Sequence, residues 1–134
     1  MSNTWQLNWN KSNYDWEKKM EDSSAHIHER TFSQSLGKSS KPDKIKKGDF
    51  VYIVCNSKCI MKGMLLTGFQ QYVDINFDKY CIGNINKRKD RCENKYFCTI
   101  KIISWFWGDK RKKIRHNQHT FMQPKIKPEW WGTL

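Results

Sequence analysis

The strongest constraint on the fold of this chain is an apolar run that lies between two turn-forming sequences. Gly48-Asp49 ends a basic loop, and seven strand-forming residues, Asp49 to Cys55, follow it. Successive side chains of a strand point to opposite faces, and both faces are apolar here. Because a strand with two apolar faces is normally buried on both sides, we predict that it is central in a sheet.

The residues after this strand indicate that the chain turns back as a β-hairpin. Asn56-Ser57-Lys58 supplies turn-forming residues, and Ile60 to Phe69 has the composition of the returning strand. Gly63 and Gly68 interrupt that strand, as glycines do at β-bulges and where two backbones approach closely. We expect the hairpin to form the spine of a small β-barrel.

A strand and a helix are predicted before the hairpin. Apolar and polar residues alternate between Thr4 and Asn8, which is typical of a short strand. Ser12, with Asp15 three residues later, fits a capping box that starts a short helix. Trp16 and Met20 are one helical turn apart, so both side chains should face the core.

Further strands are predicted on either side of the hairpin. Arg30 to Ser33 could form a brief strand, and Val73 to Phe77 alternates as a half-buried strand does. Tyr96 to Trp107 is the longest candidate, and its apolar parity changes between Ile102 and Ile103. A β-bulge produces such a change and bends the strand. With 134 residues, the chain fits one α+β domain of five or six strands with short helices.

The chain carries a strong excess of positive charge. Twenty-five Lys and Arg residues against thirteen acidic residues give a formal net charge of +12. This favours nucleic acid as a partner over a membrane, because the sequence has no long apolar run and no basic amphipathic helix. The alternative is a lysine-rich surface that comes from an A/T-rich genome. The predicted phosphate-binding residues are Lys38, Lys41, Lys44, Lys46, Lys47, Lys87, Arg88, Lys89, Arg91, Lys110, Arg111, Lys112, Lys113 and Arg115.

The cysteines favour a reduced, cytosolic or nuclear protein without a metal or cofactor. Five cysteines are irregularly spaced, and the polar N-terminus does not read as a signal peptide. Cys55 and Cys59 with His116 and His119 could in principle bind zinc. We disfavour this site because Cys55 belongs to a strand that should be buried.

The N-terminal residues combine large aromatic rings with polar amides. Asn8-Trp9-Asn10 is followed closely by Tyr14 and Trp16. An unpaired or flipped base needs flat rings for stacking and amide or hydroxyl groups that read its edge. The alternative is that the tryptophans fill a small core. We favour the core for Trp16 and leave both interpretations open for Trp9.

These motifs resemble those of EVE domains, which belong to the PUA-like superfamily together with YTH domains. The resemblance covers roughly residues 5–121, most of the chain. Its first part is Trp-x-x-Asn-Trp-Asn followed by Tyr-x-Trp, between Trp5 and Trp16. Its other parts are Arg30 to Ser33, Ile45 to Tyr52, Gly63 and Gly68, and Arg115 to Phe121.

The resemblance implies a PUA-like, EVE/YTH-type twisted β-barrel that captures one modified base, either a modified cytosine in DNA or a methylated adenosine in RNA. Phe32 stands where many relatives carry a cage tryptophan. The base would stack on aromatic rings from Trp9, Phe32 and either Trp105 or Trp107. The groups that read its edge would come from Asn8, Asn10, Ser33 and Gln118.

Two alternative functions stay open. PUA-like folds include ASCH-type amidohydrolases, and Lys62, Thr67 and Glu93 are the candidate reactive residues for such chemistry. The sequence contains no paired carboxylates, nucleophile elbow or phosphate-binding glycine loop, so a binding protein is preferred. The other alternative is a general basic domain that binds RNA or DNA without base specificity.

Overall fold

The chain forms a mixed β-sheet with one short α-helix, which is an α+β fold with a β-rich core. The computed structural model describes residues 3–9, 14–23, 31–36, 43–71, 80, 82, 96–115, 121–124 and 126–133. For residues 23, 31–36 and 71 it describes the backbone alone. Within these ranges, no helix is both long and apolar enough to cross a bilayer.

Five strands of six to ten residues build the sheet, and two strands of two residues extend it. The strand order is β2-β6-β4-β3-β1-β7, and β5 pairs with β6 beside this path. β1 runs parallel to β3, and the other pairs are antiparallel. The elements are β1 Thr4–Trp9, α1 Trp16–Ser23, β2 Thr31–Leu36, β3 Phe50–Cys55, β4 Lys58–Leu65, β5 Gln70–Gln71, β6 Tyr96–Trp105, a 3-10 helix Gly108–Lys110, and β7 Phe121–Met122.

The predicted central hairpin is confirmed. β3 lies between β1 and β4, and the four residues from Val51 to Val54 are fully buried. Asn56 and Ser57 connect β3 to β4 with φ angles of 53° and 61°. Two left-handed residues in a two-residue loop give a turn whose twist matches that of the flanking strands.

The predicted close approach and the predicted bulge lie side by side in β4 and β6. A Cβ atom on Gly63 would lie 2.5 Å from Ile100 Cγ2, so only glycine fits there without a shift. The register changes at this point: Lys62 pairs with Ser104, whereas Gly63 pairs with Ile102. Ile103 is therefore the extra residue of a β-bulge, which explains the change of apolar parity in the sequence.

The returning strand ends earlier than predicted. β4 stops at Leu65, and the backbone N–H of Leu66 then donates to the carbonyl of Thr99 (2.9 Å). The Thr67 hydroxyl accepts a hydrogen bond from the Thr99 N–H (3.1 Å), which fills the gap in the ladder. β5 then resumes the pairing with β6. The predicted strand from Val73 to Phe77 lies outside the described residues.

The helix begins later than the capping-box interpretation predicts. α1 starts at Trp16, and the Asp15 carboxylate accepts a hydrogen bond from the Lys18 N–H (3.2 Å). Asp15 is therefore the N-cap of the described helix, and the prediction that Ser12 starts it was wrong. Trp16 and Met20 are buried in the main core, as predicted.

A second, smaller core lies on the other face of β3 and was not predicted. Its buried members are Tyr52, Cys59 and Phe106. Trp131 stacks on the Tyr52 ring with 5.4 Å between centroids and 20° between planes, and Trp130 meets it edge-on at 5.0 Å. The C-terminal turn thus covers the face of the sheet opposite α1.

Candidate nucleic-acid interface

The basic run that follows β6 is fixed against the tip of the β3–β4 hairpin. The Cys59 N–H donates to the carbonyl of Lys112 (2.9 Å), and the Ile114 N–H donates to that of Ser57 (3.1 Å). Lys58 and Lys113 form a β-bridge between these two contacts. The run therefore continues the β6 side of β4 through one isolated bridge, at the hairpin end of β3.

This arrangement brings five exposed cations to one end of the sheet, and we call this region the hairpin-end basic surface. The same turn also carries the exposed carboxylate of Asp109. Positive charge still predominates, because five cations lie near this one acid. The backbone that carries the cations is held by hydrogen bonds, whereas their side chains extend into solvent. The five cations are Lys58, Lys110, Lys112, Lys113 and Arg115.

Local sequence explains how the chain reaches this position. The Phe106 N–H still donates to the carbonyl of Ile60 (2.9 Å), which extends the ladder just past β6. Gly108 has a φ of 55°, a left-handed conformation that glycine adopts without strain. The 3-10 helix that starts there loops out of the ladder, and the basic run then resumes antiparallel pairing with β4 in the same direction as β6.

Arg111 differs from its neighbours because its guanidinium is already occupied. Its two terminal nitrogens donate to the Glu17 carboxylate, the longer contact being 3.1 Å, and Nε donates to the carbonyl of Phe106 (2.7 Å). The guanidinium also lies 4.9 Å from the centroid of the Trp107 ring. Arg111 therefore attaches the basic turn to α1 and supports Trp107 from one side.

Trp107 presents an aromatic surface next to these cations. Its side chain is 40% exposed. Every other aromatic side chain that the structure describes is buried or half-buried. An indole held in place by a guanidinium can stack a base without first being ordered. Among the predicted base-pocket residues whose side chains the structure describes, Trp107 has the geometry most suited to stacking.

Trp9 and Trp105, by contrast, pack into the main core. Trp105 is buried, and its ring centroid lies 6.5 Å from that of Trp16. Trp9 is half-buried and meets Trp16 edge-on at 5.3 Å and Tyr14 edge-on at 5.9 Å. Rings packed edge to face fill space and leave no parallel slot between them.

The remaining predicted pocket residues are distributed along the sheet. The Asn8 carboxamide is buried, and its oxygen accepts a hydrogen bond from Gln6 Nε2 (2.7 Å). Phe32 pairs with Ile100 and Ser33 with Thr99, which places their backbone about 15 Å along β6 from Trp105. Asn10 and Gln118 lie outside the described residues.

Strand register nevertheless brings the three tryptophans to the same end of the sheet as the basic surface. Trp9 pairs with Cys55, and Cys55 pairs with Lys58 at the start of β4. Trp105 pairs with Met61 three residues further along β4. These tryptophans and the hairpin-end cations therefore lie at one end of the sheet, whereas the backbone of Phe32 and Ser33 lies further along β6.

The other predicted phosphate-binding residues divide into two groups. Lys44, Lys46 and Lys47 are exposed in the loop before β3, at the end of the sheet opposite the hairpin tip. β3 has six residues, so about 20 Å separates the two ends. Outside the described residues lie Lys38, Lys41, Lys87, Arg88, Lys89 and Arg91.

The candidate zinc ligands do not meet in the described part of the chain. Cys59 is fully buried, and its thiol donates weakly to the carbonyl of Met61 (3.7 Å). Burial raises the pKa of the Cys59 thiol to about 12, which opposes formation of a thiolate ligand. No three His, Cys, Asp or Glu side chains cluster among the described residues. His116 and His119 lie outside them.

The candidate enzyme residues have structural contacts. The Lys62 ammonium lies 4.9 Å from the ring centroid of Phe50 and 5.3 Å from that of Tyr52. The Thr67 hydroxyl is hydrogen-bonded to the β6 backbone, as described above. Glu93 lies outside the described residues.

Sequence reasoning missed one buried cation in the aromatic cluster. The Lys19 ammonium is almost fully buried, donates to the Tyr14 hydroxyl (2.7 Å) and lies 5.4 Å from the Trp16 ring centroid. The position of Lys19 three residues after Trp16, on the buried side of the helix, was the available signal.

The chain matches no protein-family model, no curated protein and no solved structure. Its likeness to EVE and YTH domains therefore consists of the sequence motifs named above. Any function proposed for it depends on those motifs and on the geometry of the described residues.

Proposed function

We propose that the protein binds nucleic acid through the hairpin-end basic surface and holds one unpaired base on Trp107. The observation that carries this proposal is the fixed backbone from Lys110 to Arg115, which presents exposed cations beside an exposed indole. Phosphates would contact the cations without sequence preference, and the base would stack on the ring.

The charge supports the phosphate half of the proposal. The chain has a formal net charge of +12, and five cations lie together on this surface. Lysine and arginine side chains that neutralise phosphates release condensed counterions, so binding is favoured most at low salt. Arg111 contributes less to this effect because Glu17 already neutralises it.

The finer part of the proposal is that the protein reads a modified base within a PUA-like barrel. Its support is the resemblance to EVE and YTH domains, together with the position of Trp9 and Asn8 near the basic end of the sheet. In this proposal Trp107 stacks the base, and the polar groups of the N-terminal motif recognise its modification.

Binding without base specificity is a second candidate, and one observation favours it. Trp9 packs edge to face against both Tyr14 and Trp16, which is the geometry of a filled core. In that case Trp107 would stack any base, and the cations would supply most of the affinity.

A panel of oligonucleotides tests both halves. The strands should share one sequence and differ in a single base, unmodified or modified, in matched DNA and RNA versions. We expect fluorescence anisotropy to show salt-dependent binding of all strands and tighter binding of one modified strand. Equal affinities for every strand would favour the second candidate, and no binding at low salt would contradict both.

A further inference from the structure

A groove of about 580 Å³ lies at the opposite end of β3 from the hairpin-end basic surface. We call it the basic groove. Small-molecule sites in proteins typically have volumes of about 300–1,000 Å³, so it is large enough for a ligand of that kind. The lining residues that matter for its chemistry are Trp5, Lys44, Lys46, Lys47, Asp49 and Gln123.

The floor of the basic groove is organised by one buried carboxylate. Asp49 is 3% exposed and accepts three hydrogen bonds of 3.0 Å, from the backbone N–H groups of Asn3 and Lys46 and from Trp5 Nε1. The three donors stabilise its negative charge within the protein. Asp49 therefore fixes β1, the lysine loop and the Trp5 ring relative to one another.

The lysines that line the groove stand on an equally fixed turn. The Asp49 N–H donates to the carbonyl of Lys46 (3.1 Å), and the Gly48 N–H donates to that of Leu65 (2.8 Å). Gly48 has a φ of 89°, which only glycine adopts readily. The exposed lysine side chains thus project from a backbone that needs no ordering when a ligand binds.

A smaller groove of about 240 Å³ continues from the first and adds a further cation. The two grooves share Asn3 and Gln123, and Lys127 lines the second. Gln123 Nε2 donates to the carbonyl of Thr4 (3.2 Å), which holds the amide at the junction. Four lysines therefore surround a concave site that two carboxylates line, the exposed Asp43 and the buried Asp49.

We propose that the basic groove binds a di- or triphosphate group, either free or carried by a nucleotide. A phosphodiester of nucleic acid carries one negative charge, whereas a triphosphate concentrates several charges within a few ångströms. Several lysines that converge on one concave site match the triphosphate better, because each ammonium is a compact point charge. This site does not depend on the proposed nucleic-acid interface, from which it is separated by the length of β3.

The test is a titration of ¹⁵N-labelled protein with sodium tripolyphosphate, followed by the indole N–H signals of Trp5 and Trp107. Trp5 reports the groove floor and Trp107 reports the opposite end. We expect a saturable shift of the Trp5 signal at submillimolar ligand and little change at Trp107. A parallel titration with ATP distinguishes a free polyphosphate from a nucleotide. Equal affinity for the two ligands would show that only the phosphates are bound, and tighter binding of ATP would show that the nucleoside is also contacted.

Two matched variants serve as controls. The groove triple variant replaces Lys44, Lys46 and Lys47 by Ala, and the hairpin-end triple variant replaces Lys110, Lys112 and Lys113 by Ala. Each removes three exposed charges. The groove triple variant should bind tripolyphosphate at least about tenfold more weakly, because it loses charged hydrogen bonds to the ligand. The hairpin-end triple variant should bind it as tightly as the unaltered protein. Lys47→Glu provides a single-site version with the same expected direction.

Three results would overturn the proposal. The first is an unsaturable Trp5 shift that sodium chloride reproduces at equal ionic strength. The second is equal weakening by the two triple variants, and the third is a larger shift at Trp107 than at Trp5. A failed nucleic-acid interface would leave all of these signals unaffected, so the two proposals fail separately.

Discussion

The two ends of β3 carry clusters of lysine on different supports. At the hairpin end the lysines extend from a loop that is bridged to the start of β4, beside an exposed indole and next to the buried Cys59. At the other end they surround a groove whose floor is the buried Asp49 carboxylate with its three donors. One end presents exposed cations beside an exposed aromatic ring, and the other is a concave site.

This difference shows that lysine number alone does not identify a partner. An open, extended surface can follow a flexible strand over several phosphates, and an exposed ring adds a contact to a base. A concave site concentrates its charges on one small ligand. We therefore propose nucleic acid for the hairpin end and a polyphosphate for the groove.

The largest expected effect comes from removing the Asp49 carboxylate that lines the basic groove. Asp49→Ala leaves three buried or half-buried N–H groups without an acceptor, and each such group costs about 1–3 kcal/mol. We expect the free energy of unfolding to fall by about 3 kcal/mol or more, measured by urea denaturation. Asp109→Ala at the hairpin end is the control, because that carboxylate is exposed. A loss no larger than the control's would show that Asp49 does not organise the groove.

The next effect concerns the aromatic residue of the hairpin end. Trp107→Ala should weaken binding of a short single strand by roughly five- to 150-fold, since stacking contributes about 1–3 kcal/mol per base. The melting temperature should change little, because the indole belongs to neither buried core. Anisotropy titrations and thermal melts, performed on the same samples, measure the two quantities.

Trp9→Ala is the informative partner of that variant. Its ring packs on Tyr14 and Trp16, so the melting temperature should fall. If Trp9 also takes part in base reading, the protein that remains folded should discriminate less between modified and unmodified strands. Early melting with unchanged discrimination would make Trp9 purely structural and would contradict the base-reading part of the proposal.

Stability should depend on pH through the buried Cys59 thiol at the hairpin end. Burial raises the pKa of Cys59 from 9.0 to about 12, so above pH 9 the thiol loses its proton in the unfolded chain and retains it in the folded one. Its contribution to stability is complete below pH 9 and should decrease by about 1.4 kcal/mol per pH unit as the pH rises towards 12.

Cys59→Ala isolates this contribution from other groups that titrate at high pH. The stability difference between the two proteins should narrow as the pH rises from 9, as judged by urea denaturation at several pH values. A constant difference over that range would show that the thiol is not protected from ionisation by the fold.

The smallest expected effect is at the contact between α1 and the basic turn. Glu17→Gln removes the charge partner of Arg111, but the carboxylate is largely exposed, so stability should fall by less than about 1 kcal/mol. The released guanidinium should strengthen nucleic-acid binding slightly at low salt. Glu21→Gln, exposed on the same helix, is the matched control and should have a smaller effect on affinity.

Much of the sheet could be predicted because its signals are local. Apolar residues on both parities predicted the central position of β3, and a change of parity predicted the bulge at Ile103. The helix start was misassigned because Ser12 and Asp15 are both good capping residues, and spacing alone does not decide between them. The stacking of Trp131 on Tyr52 joins residues far apart in sequence, so no periodicity indicates it.

The sequence predicted which residue types make up the candidate site better than it predicted how they are arranged. Lysine runs marked both basic regions, but only the folded chain shows that one lines a groove and that the other lies beside an exposed indole. Arg111 and Glu17 are 94 residues apart, so the sequence does not distinguish this paired arginine from the exposed cations beside it. Trp105 and Trp107 are equivalent in the sequence, and burial alone distinguishes them.

The most direct test of the nucleic-acid interface compares the two triple variants by the salt dependence of single-strand binding. Each phosphate contact contributes about 0.7 to the slope of log K against log salt. Strands of about six nucleotides lie within known single-strand site sizes and suit the measurement. We predict that the hairpin-end triple variant lowers the slope by about 2, whereas the groove triple variant leaves it unchanged. Equal slopes for both variants, or an affinity independent of salt, would contradict the account.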